Sequence, residues 1–396
     1  MRQCGLQALL AYSDKRFAMG QGVEVGHYVR YYAGFRFPPS EIHEGPAVLP
    51  YTRTEAIVLI PRDGKPALLM RQASEELVRS QTWIHDVRSG HQRFGDESLA
   101  GLARMTWDLL QERGISKGKV GIAGVGATWE LYCALTETMP RLHFVECTEE
   151  FDQLRMIKTD NELRIMRKAA QIADAGVEAF FETAKEGVSE YEVHQAVEKA
   201  MFDEGGDNPW SQIVSGPRSY LYFVSPDYTQ RKLESGDMVL ADIGSEFAGY
   251  HSDVQPVVIV GTPREGQLSL LRTNMKSIRA MIAATRPGVT DKDIVQAAVT
   301  ASRGERFGDR EYVFGHGYGV GYEPPFFNPG ALLKRKNEET ILKQNMVLCY
   351  EPGLFVPGIG GSFIEDEVIV TPGGCEVITG CLAHAERLLS ELKSKG

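Results

Sequence analysis

Two predicted β-hairpins, over residues 238–261 and 346–371, each place two of four candidate site carboxylates in apolar strands. The four carboxylates are Asp242, Asp253, Glu351 and Glu365. A buried carboxylate is costly unless it is paired, and like charges close together raise each other's pKa. These strand segments contain no lysine or arginine, so two divalent cations would supply the compensating charge most directly. The matched hairpins therefore favour a metal-binding cluster over four unrelated acids that are solvated at a sheet rim.

His316 is the candidate nitrogen ligand for this cluster. It lies in the run Gly315-His316-Gly317-Tyr318-Gly319, whose glycines allow the backbone to approach another element closely. A lone histidine is more often a polar residue with a structural hydrogen bond. Four candidate carboxylate ligands favour the other interpretation, because a neutral imidazole commonly completes a metal shell.

The elements that must position these residues follow from hydrophobic periodicity and capping signals. Residues 52–71 predict a hairpin around the turn Asp63-Gly64, and a helix over 98–112 and a strand over 120–124 follow. The polar segment 151–160 predicts a domain boundary. Capping boxes at Thr159 and Ser189 begin two further helices.

An internal repeat supports a second domain with two similar halves. The segment Gly187–Val193 resembles Gly288–Ile294, 101 residues later, and each copy precedes one of the acidic hairpins. A helix-cap consensus alone could also generate this match.

Composition excludes several functional classes. The chain has 396 residues and a net charge of -10 without a basic block, which argues against nucleic-acid binding. No apolar run reaches the roughly 18 residues of a membrane span. The six cysteines are scattered and the N-terminus lacks a signal-peptide pattern, so we expect reduced thiols and a cytoplasmic protein.

The candidate ligands, in chain order, resemble the five metal ligands of the pita-bread family. That family includes Xaa-Pro dipeptidases and aminopeptidases, methionine aminopeptidases and creatinases. The resemblance covers most of residues 151–396 through the stretches VLADIG, GYHSD, GHGYG, MVLCYEPG and IEDEVIVT. The segments GLQALLAYSD and VRYYAGF resemble the creatinase-type N-terminal domain more loosely.

The resemblance implies a mixed α/β (α+β) fold with two domains. Residues 1–150 would form a smaller creatinase-like α/β domain, and residues 151–396 a pita-bread catalytic domain. Two divalent ions (Mn, Co, Zn or Fe) and a homodimer would come with that fold. The metal ligands would be Asp242, Asp253, His316, Glu351 and Glu365, with Glu351 and His316 as catalytic residues and Glu351 as the general base.

The sequence departs from the family's peptidases at positions around the metal ligands. Phe223 and Glu323 stand where those peptidases carry histidines, and Phe363 stands where an arginine precedes the last glutamate ligand. Gln255 likewise replaces an arginine. A register shift of two residues would put Tyr318, a poor ligand, in the place of His316. Losing one oxyanion donor typically costs about 10²–10³ in rate, so either other donors replace the histidines or the substrate is not a peptide.

Aromatic residues near these positions suggest a pocket for a small cationic or ring-shaped molecule, although the rings could equally be core packing. Candidate substrate-binding residues are Tyr222, Phe223, Tyr318, Tyr322 and Glu323, with Trp210 and Tyr220 nearby. We expect a divalent-metal-dependent hydrolase of Xaa-Pro dipeptidase type that cleaves an amide-type C–N bond in a small molecule or dipeptide. The alternatives are a creatinase- or ectoine-hydrolase-like enzyme, a lyase of the dimethylsulfoniopropionate type, or a binding protein without turnover.

Overall fold

The chain folds into two compact units, Met1–Asp152 and Gln153–Gly396. The computed structural model describes residues 1–2, 4–13, 18–19, 23–24, 28–34, 55–71, 75–90, 98–124, 129–327 and 339–394. Among the helices in these ranges, none combines the length and apolarity needed to cross a lipid bilayer.

The N-terminal unit is built on a mixed six-stranded sheet in the order β6-β5-β4-β1-β7-β8, with a separate two-stranded pair, β2-β3. Its strands are β1 (Leu6–Ser13), β2 (Ala18–Met19), β3 (Val23–Glu24), β4 (Ala56–Pro61), β5 (Ala67–Met70), β6 (Asp86–Ser89), β7 (Gly118–Ala123) and β8 (Leu142–Glu146). Its helices are α1 (Tyr28–Ala33), α2 (Glu75–Gln81), α3 (Leu99–Glu112), α4 (Trp129–Thr138) and α5 (Thr148–Met156), whose last turn enters the second unit.

Alternation along β1 divides the core of this unit into two layers. Leu10 and Tyr12 pack in one cluster with residues of α3 and α4, whereas Leu9 and Ala11 pack in another with residues of α1. This period of two is what a strand buried on both faces requires.

Most local predictions for this unit are confirmed. The hairpin forms as β4 and β5 in antiparallel register, and α3 begins after the N-cap Ser98, whose side chain accepts a hydrogen bond from the Gly101 amide. Part of the polar segment predicted to carry the boundary is helical, in α5. Its acidic first turn, Glu149 and Glu150, complements the helix dipole there.

The second unit surrounds its sheets with long helices. Its helices are α6 (Asp160–Thr183), α7 (Glu190–Asp203), α8 (Gln267–Ala284), α9 (Asp291–Ser302) and α10 (Cys381–Ser394), with 3₁₀ segments at Gly216–Val224 and Gly308–Arg310. Its strands are β9 (Asp207–Ser215), β10 (Met238–Phe247), β11 (Tyr250–Val254), β12 (Val257–Ile259), β13 (Glu311–Tyr312), β14 (Gly315–Tyr318), β15 (Tyr322–Phe326), β16 (Val347–Tyr350), β17 (Gly353–Val356), β18 (Gly360–Phe363), β19 (Asp366–Thr371) and β20 (Gly374–Val377).

Three antiparallel sheets position the acidic residues of this unit. In the first, β10 pairs with β9, β11 and β12; the second has the order β15-β14-β16-β19-β20, and the third β13-β17-β18. An isolated bridge between Gln255 and Glu365 connects the first two sheets. Because each acidic hairpin contributes to one of these two sheets, the bridge brings their carboxylates to one place.

The predicted internal repeat has matching contacts in its two copies. The amide of Gly187 donates to the carbonyl of Leu233, and that of Gly288 donates to Leu342, both at 2.9 Å. Capping boxes form at Ser189 and at Thr290, two residues after each of these glycines. Leu233 lies five residues before β10 and Leu342 five residues before β16, so the same helix-to-strand connection leads to both halves of the site.

Candidate metal centre

The first half of the site is held by β10 and β11. Every residue of β10 except its last is buried, and Asp242 lies in its middle. Asp253 pairs in register with Gly244, which brings both carboxylates to the same region of the sheet. The hydroxyl of Tyr222 donates to Asp242 Oδ2 at 2.5 Å.

The second half comes from three neighbouring strands of the five-stranded sheet. His316 of β14 pairs with Cys349 of β16, and Glu351 follows β16 directly. Glu365 precedes β19 and exchanges two backbone hydrogen bonds with Gln255. The glycines beside His316 serve the close approach that the sequence predicts, because a Cβ on Gly317 would lie 2.5 Å from the Pro324 carbonyl oxygen.

The predicted ligands converge around the imidazole of His316. Its Nε2 atom lies 3.3 Å from Glu351 Oε1, 3.8 Å from Asp253 Oδ2 and 3.9 Å from Glu365 Oε1. Carboxylate oxygens of Asp242, Asp253 and Glu365 lie within 4.8 Å of one another. All five side chains are buried, none more than 5% exposed.

Tyr318 does not take the place of His316. Its ring stands edge-on to the imidazole, with centroids 5.1 Å apart, while Nε2 of His316 faces the carboxylates. We therefore keep His316 as the proposed ligand and Tyr318 as a neighbour whose ring packs edge-on against it.

Compensating charge is scarce around Asp253, Glu351 and Glu365 in the described part of the chain. For Asp253, Glu351 and Glu365, His316 is the one basic side chain there within 4.0 Å. Both carboxylate oxygens of Glu365 and Oδ1 of Asp253 are buried without a hydrogen-bond partner among the described residues. Because buried polar atoms are almost always satisfied, these oxygens fit divalent cations.

Burial and mutual repulsion raise the pKa values of these acids. Burial, then the neighbouring carboxylates, hold the pKa of Asp253 and Glu365 well above the usual range. Burial raises the pKa of Asp242 to about 6, against a hydrogen bond from Tyr222 that lowers it. Burial likewise raises the pKa of Glu367 to about 8. Protons therefore compete with cations for the cluster.

A pH dependence of stability follows for the metal-free protein. An acid whose pKa is raised in the folded state stabilises that state below its unfolded pKa, and this contribution is lost as the pH rises through the folded pKa. We expect the melting temperature in chelator to fall between about pH 5 and about pH 8, where ordinary carboxyls are already ionised, and the stabilisation by added Mn²⁺ to grow over the same window. Thermal melts with and without Mn²⁺ measure both. A metal-free melting temperature that rises across this window would contradict the assignment.

The Tyr322 hydroxyl contacts the carboxylate cluster, whereas the carboxylate of its neighbour Glu323 lies beside basic residues. The Tyr322 hydroxyl donates to Asp253 Oδ2 at 3.3 Å, and its ring lies edge-on to His316 at 4.3 Å between centroids. The Glu323 carboxylate instead forms an ion pair with Lys158, and it lies 3.9 Å from Arg155. The predicted role of Glu323 in binding a cationic substrate group stays a prediction.

Phe223 belongs to an aromatic cluster beside the site, which we call the aromatic wall and which comprises Tyr222, Phe223, Tyr312, Phe355 and Phe363. Ring centroids of Phe223 lie 5.3 Å from Phe355, 5.7 Å from Phe363 and 6.0 Å from Tyr312. Phe223 is 62% exposed, while Tyr222 behind it holds Asp242. The wall thus runs from solvent to the carboxylate cluster.

Trp210 and Tyr220 are not part of the aromatic wall. Trp210 covers the backbone of β10, since a Cβ on Gly244 would lie 2.2 Å from its ring. Tyr220 is half-buried on the 3₁₀ segment.

A buried carboxylate anchors the 3₁₀ segment that carries Tyr222 and Phe223. Glu190 accepts hydrogen bonds from the Ser215 and Thr229 amides and from Arg218 Nη2, which lies 2.5 Å from one of its oxygens. Both ends of the loop are therefore tied to the start of α7. This network explains how a short segment can hold the Tyr222 hydroxyl against Asp242.

Sequence reasoning missed Cys349 and noted Gln255 only as a replacement for an arginine. Cys349 lies on β16, two residues before Glu351, which directly follows that strand, so the period of two along a strand could have placed both on the same face. Gln255 donates from Nε2 to Glu351 Oε2 at 3.2 Å, a contact between hairpins that no local pattern indicates.

Comparisons with known proteins agree with this geometry. A family model described as metallopeptidase family M24 matches residues 164–372, and one described as the creatinase/prolidase N-terminal domain matches residues 1–157. The chain is 34% identical over 239 residues to a Xaa-Pro dipeptidase of Pyrococcus furiosus, covering 60% of this chain and 66% of that one. It is 30% identical over 328 residues to an uncharacterized peptidase of Staphylococcus saprophyticus, covering 81% and 89%.

Solved structures share the fold along nearly the whole chain. A Xaa-Pro dipeptidase from Bacillus anthracis superposes with a TM-score of 0.74 at 26% identity, covering 96% of this chain and 94% of that one. The prolidase from Pyrococcus furiosus gives 0.73 at 25% identity, covering 96% and 98%. The expected pita-bread fold with a creatinase-type N-terminal domain is thus confirmed, and the chain belongs to metallopeptidase family M24.

Proposed function

We propose that this chain is a divalent-metal-dependent hydrolase that cleaves an amide-type C–N bond in a small substrate, with Xaa-Pro dipeptides as the first class to test. The observation that carries the proposal is the convergence of four buried carboxylates around His316, with both oxygens of Glu365 lacking a hydrogen-bond partner among the described residues. Such a cluster is tolerable when cations occupy it.

Five residues would hold two divalent ions of Mn, Co, Zn or Fe. They are Asp242, Asp253, His316, Glu351 and Glu365. When bound, such ions supply Lewis-acid activation of water and of the scissile carbonyl. The remaining work of binding, orienting and proton transfer falls to the side chains around them.

Glu351 is the proposed general base. Burial raises the pKa of its carboxyl group, which makes the carboxylate a better acceptor for a proton from the attacking water. Gln255 holds one carboxylate oxygen and His316 lies beside the other. Glu351 can then return that proton to the leaving amine.

Two tyrosine hydroxyls are the proposed replacements for the absent histidines. Tyr322 and Tyr222 both donate to the ligand carboxylates, at 3.3 and 2.5 Å. Burial, then nearby acids, hold their pKa values well above the usual range, so both phenols keep their protons and remain donors. We assign to Tyr322 the stabilisation of the developing oxyanion, for which its hydroxyl hydrogen turns from Asp253 to the substrate oxygen, and to Tyr222 the positioning of Asp242.

The aromatic wall is the proposed binding surface for an apolar or ring-shaped substrate group such as a prolyl ring. We expect Phe223→Ala to raise KM for Xaa-Pro dipeptides about 3–10-fold with little change in kcat, because an aromatic contact contributes about 0.5–1.5 kcal/mol. The matched control is Phe202→Ala, since Phe202 is 59% exposed on α7. Equal effects of the two variants on KM would contradict this role for Phe223.

The proposal is tested by assaying purified protein on Xaa-Pro dipeptides with Mn²⁺ or Co²⁺, before and after treatment with a chelator. Metal-dependent release of proline is the expected result, and full activity after metal removal would reject the mechanism.

A second candidate is hydrolysis of a non-peptide amide, as in creatinase- or ectoine-hydrolase-like enzymes. Phe223 and Phe363 favour it, because they put rings where the family's peptidases carry a histidine and an arginine. A panel of small cyclic and cationic amides beside the dipeptides separates the two candidates. Product analysis also tests the lyase alternative, since a lyase forms an alkene without consuming water.

The remaining parts of the proposal rest on family membership. We propose residues 1–150 as the creatinase-like domain, residues 151–396 as the catalytic domain, and a homodimer that works in the cytoplasm. Light scattering of the purified protein tests the dimer.

A further inference from the structure

The buried thiol of Cys349 stands among the proposed metal ligands. Cys349 is fully buried on β16 and pairs with His316 on one side and Glu367 on the other. Its Sγ atom lies within 4.8 Å of ligand atoms of both His316 and Glu365. It forms no disulfide.

The surroundings of this thiol differ from those of the other buried cysteines. Cys147 and Cys381 each belong to a hydrophobic cluster, as buried cysteines usually do. Cys349 belongs to none of the described clusters, and its Sγ atom lies 4.0 Å from Oε1 of Glu367. Its polar environment is that of a ligand and not of a packing residue.

Glu365 divides the cluster into two unlike sets of donors. One set is Asp242, Asp253 and Glu365, with oxygen atoms alone, and the other is His316, Cys349 and Glu365, with one nitrogen, one sulfur and one oxygen. Glu365 belongs to both, and its two oxygens are buried without a hydrogen-bond partner in the described ranges. One oxygen is therefore available to each set.

We propose that Cys349 is a metal ligand, which makes the two sites of the centre chemically unequal. This inference rests on the proposed metal centre. The oxygen-only site suits hard ions such as Mn²⁺, whereas imidazole and thiolate suit Zn²⁺, Co²⁺ or Cd²⁺. Zinc bonds of about 2.0–2.3 Å allow one ion to join donors that lie about 4 Å apart. As the sulfur–metal bond forms, the thiol releases its proton to solvent.

The consequence is metal selectivity at one of two sites. We expect Cys349→Ser to weaken the binding of one Cd²⁺ or Co²⁺ equivalent at least about tenfold, since even outer-shell partners of ligands contribute 10–100-fold. The affinity for Mn²⁺ should change much less, because a hydroxyl and a protonated thiol are both poor ligands for that hard ion.

The test is spectroscopic and does not depend on turnover. Full-length protein is loaded with Cd²⁺ or Co²⁺, bound metal is counted, and the thiolate-to-metal charge-transfer absorption is recorded for wild type, Cys349→Ser and the control Cys133→Ser. The proposal predicts two bound ions, a charge-transfer band in wild type and in the control, and no band in Cys349→Ser. X-ray absorption of the zinc-loaded wild type gives the same answer without a variant, as a sulfur scatterer at about 2.3 Å.

The outcomes separate this inference from the proposed function. Two bound ions without a thiolate band and without a sulfur scatterer would overturn the role of Cys349 and leave the carboxylate centre in place. A band that persists in Cys349→Ser would also overturn it. Absence of stoichiometric metal in wild type would overturn both proposals.

Discussion

Glu365→Gln should lower kcat/KM by roughly a thousandfold or more and leave less metal bound per chain. Glu365 is fully buried and belongs to both of the donor sets that the structure brings together. An amide keeps its shape but cannot offer two anionic oxygens. A loss of about 4 kcal/mol of transition-state stabilisation corresponds to about 10³ in rate. Metal analysis and kinetics on the same preparation measure the two effects together.

Stability of the metal-free protein gives this prediction a second readout. Burial and neighbouring acids disfavour the ionised form of the Glu365 carboxyl group, so at neutral pH or above its replacement should raise the melting temperature of the metal-free variant above that of metal-free wild type. Glu376→Gln is the matched control, because Glu376 lies in β20 of the same sheet and pairs with Arg167 at the surface. A Glu365→Gln variant with normal metal content and normal rate would refute the assignment of Glu365.

Tyr322→Phe should lower kcat by about 10²–10³ with metal content unchanged. The variant keeps the ring against His316 and removes only the hydroxyl, which is the proposed oxyanion donor. Loss of one such donor typically costs that much. If Tyr322 acted only by holding Asp253, metal affinity would fall with the rate. Steady-state kinetics at saturating metal, with bound metal counted, distinguish the two roles.

Tyr350→Phe is the control for that experiment. Tyr350 is fully buried on β16 and its hydroxyl shares a hydrogen bond of 2.7 Å with Thr285, in the core behind the sheet. Loss of this hydroxyl should lower the free energy of unfolding by about 1 kcal/mol and leave kcat unchanged. A Tyr322→Phe variant as active as this control would show that another group stabilises the oxyanion.

The acidic residues of the site were predictable because charged side chains are rarely found within strongly apolar strands. Carboxylates in strands as apolar as Val239–Ala241 and Val347–Tyr350 need a physical reason, and their order and spacing resembled a known ligand set. Helix caps at Thr159, Ser189 and Thr290 were also local signals. Such features depend on neighbours within a few residues, which the sequence shows directly.

The orientation of residues after His316 was not predictable in this way. The pairing of β14 with β15 shifts register between His316 and Gly317. Between these two pairs β15 runs on by three residues while β14 runs on by one, and Tyr322 and Glu323 lie just after this irregularity in the pairing. Nothing local in the sequence indicates where such an irregularity falls.

The aromatic wall could not be predicted from the sequence for a different reason. Tyr222 and Phe223 are adjacent in the chain, but Tyr312, Phe355 and Phe363 come from separate strands. Only the packing of the 3₁₀ segment on the three-stranded sheet brings them together. Contacts of this kind depend on tertiary structure and leave no periodic signal.

The central claim is that bound cations make the convergence of these carboxylates tolerable. Anomalous diffraction from crystals grown with Mn²⁺, recorded on both sides of the manganese absorption edge, tests it most directly. We predict two anomalous peaks within the cluster, both beside Glu365, with His316 in contact with one of them. No anomalous peak, and the carboxylates turned apart or paired with lysine or arginine, would contradict the account.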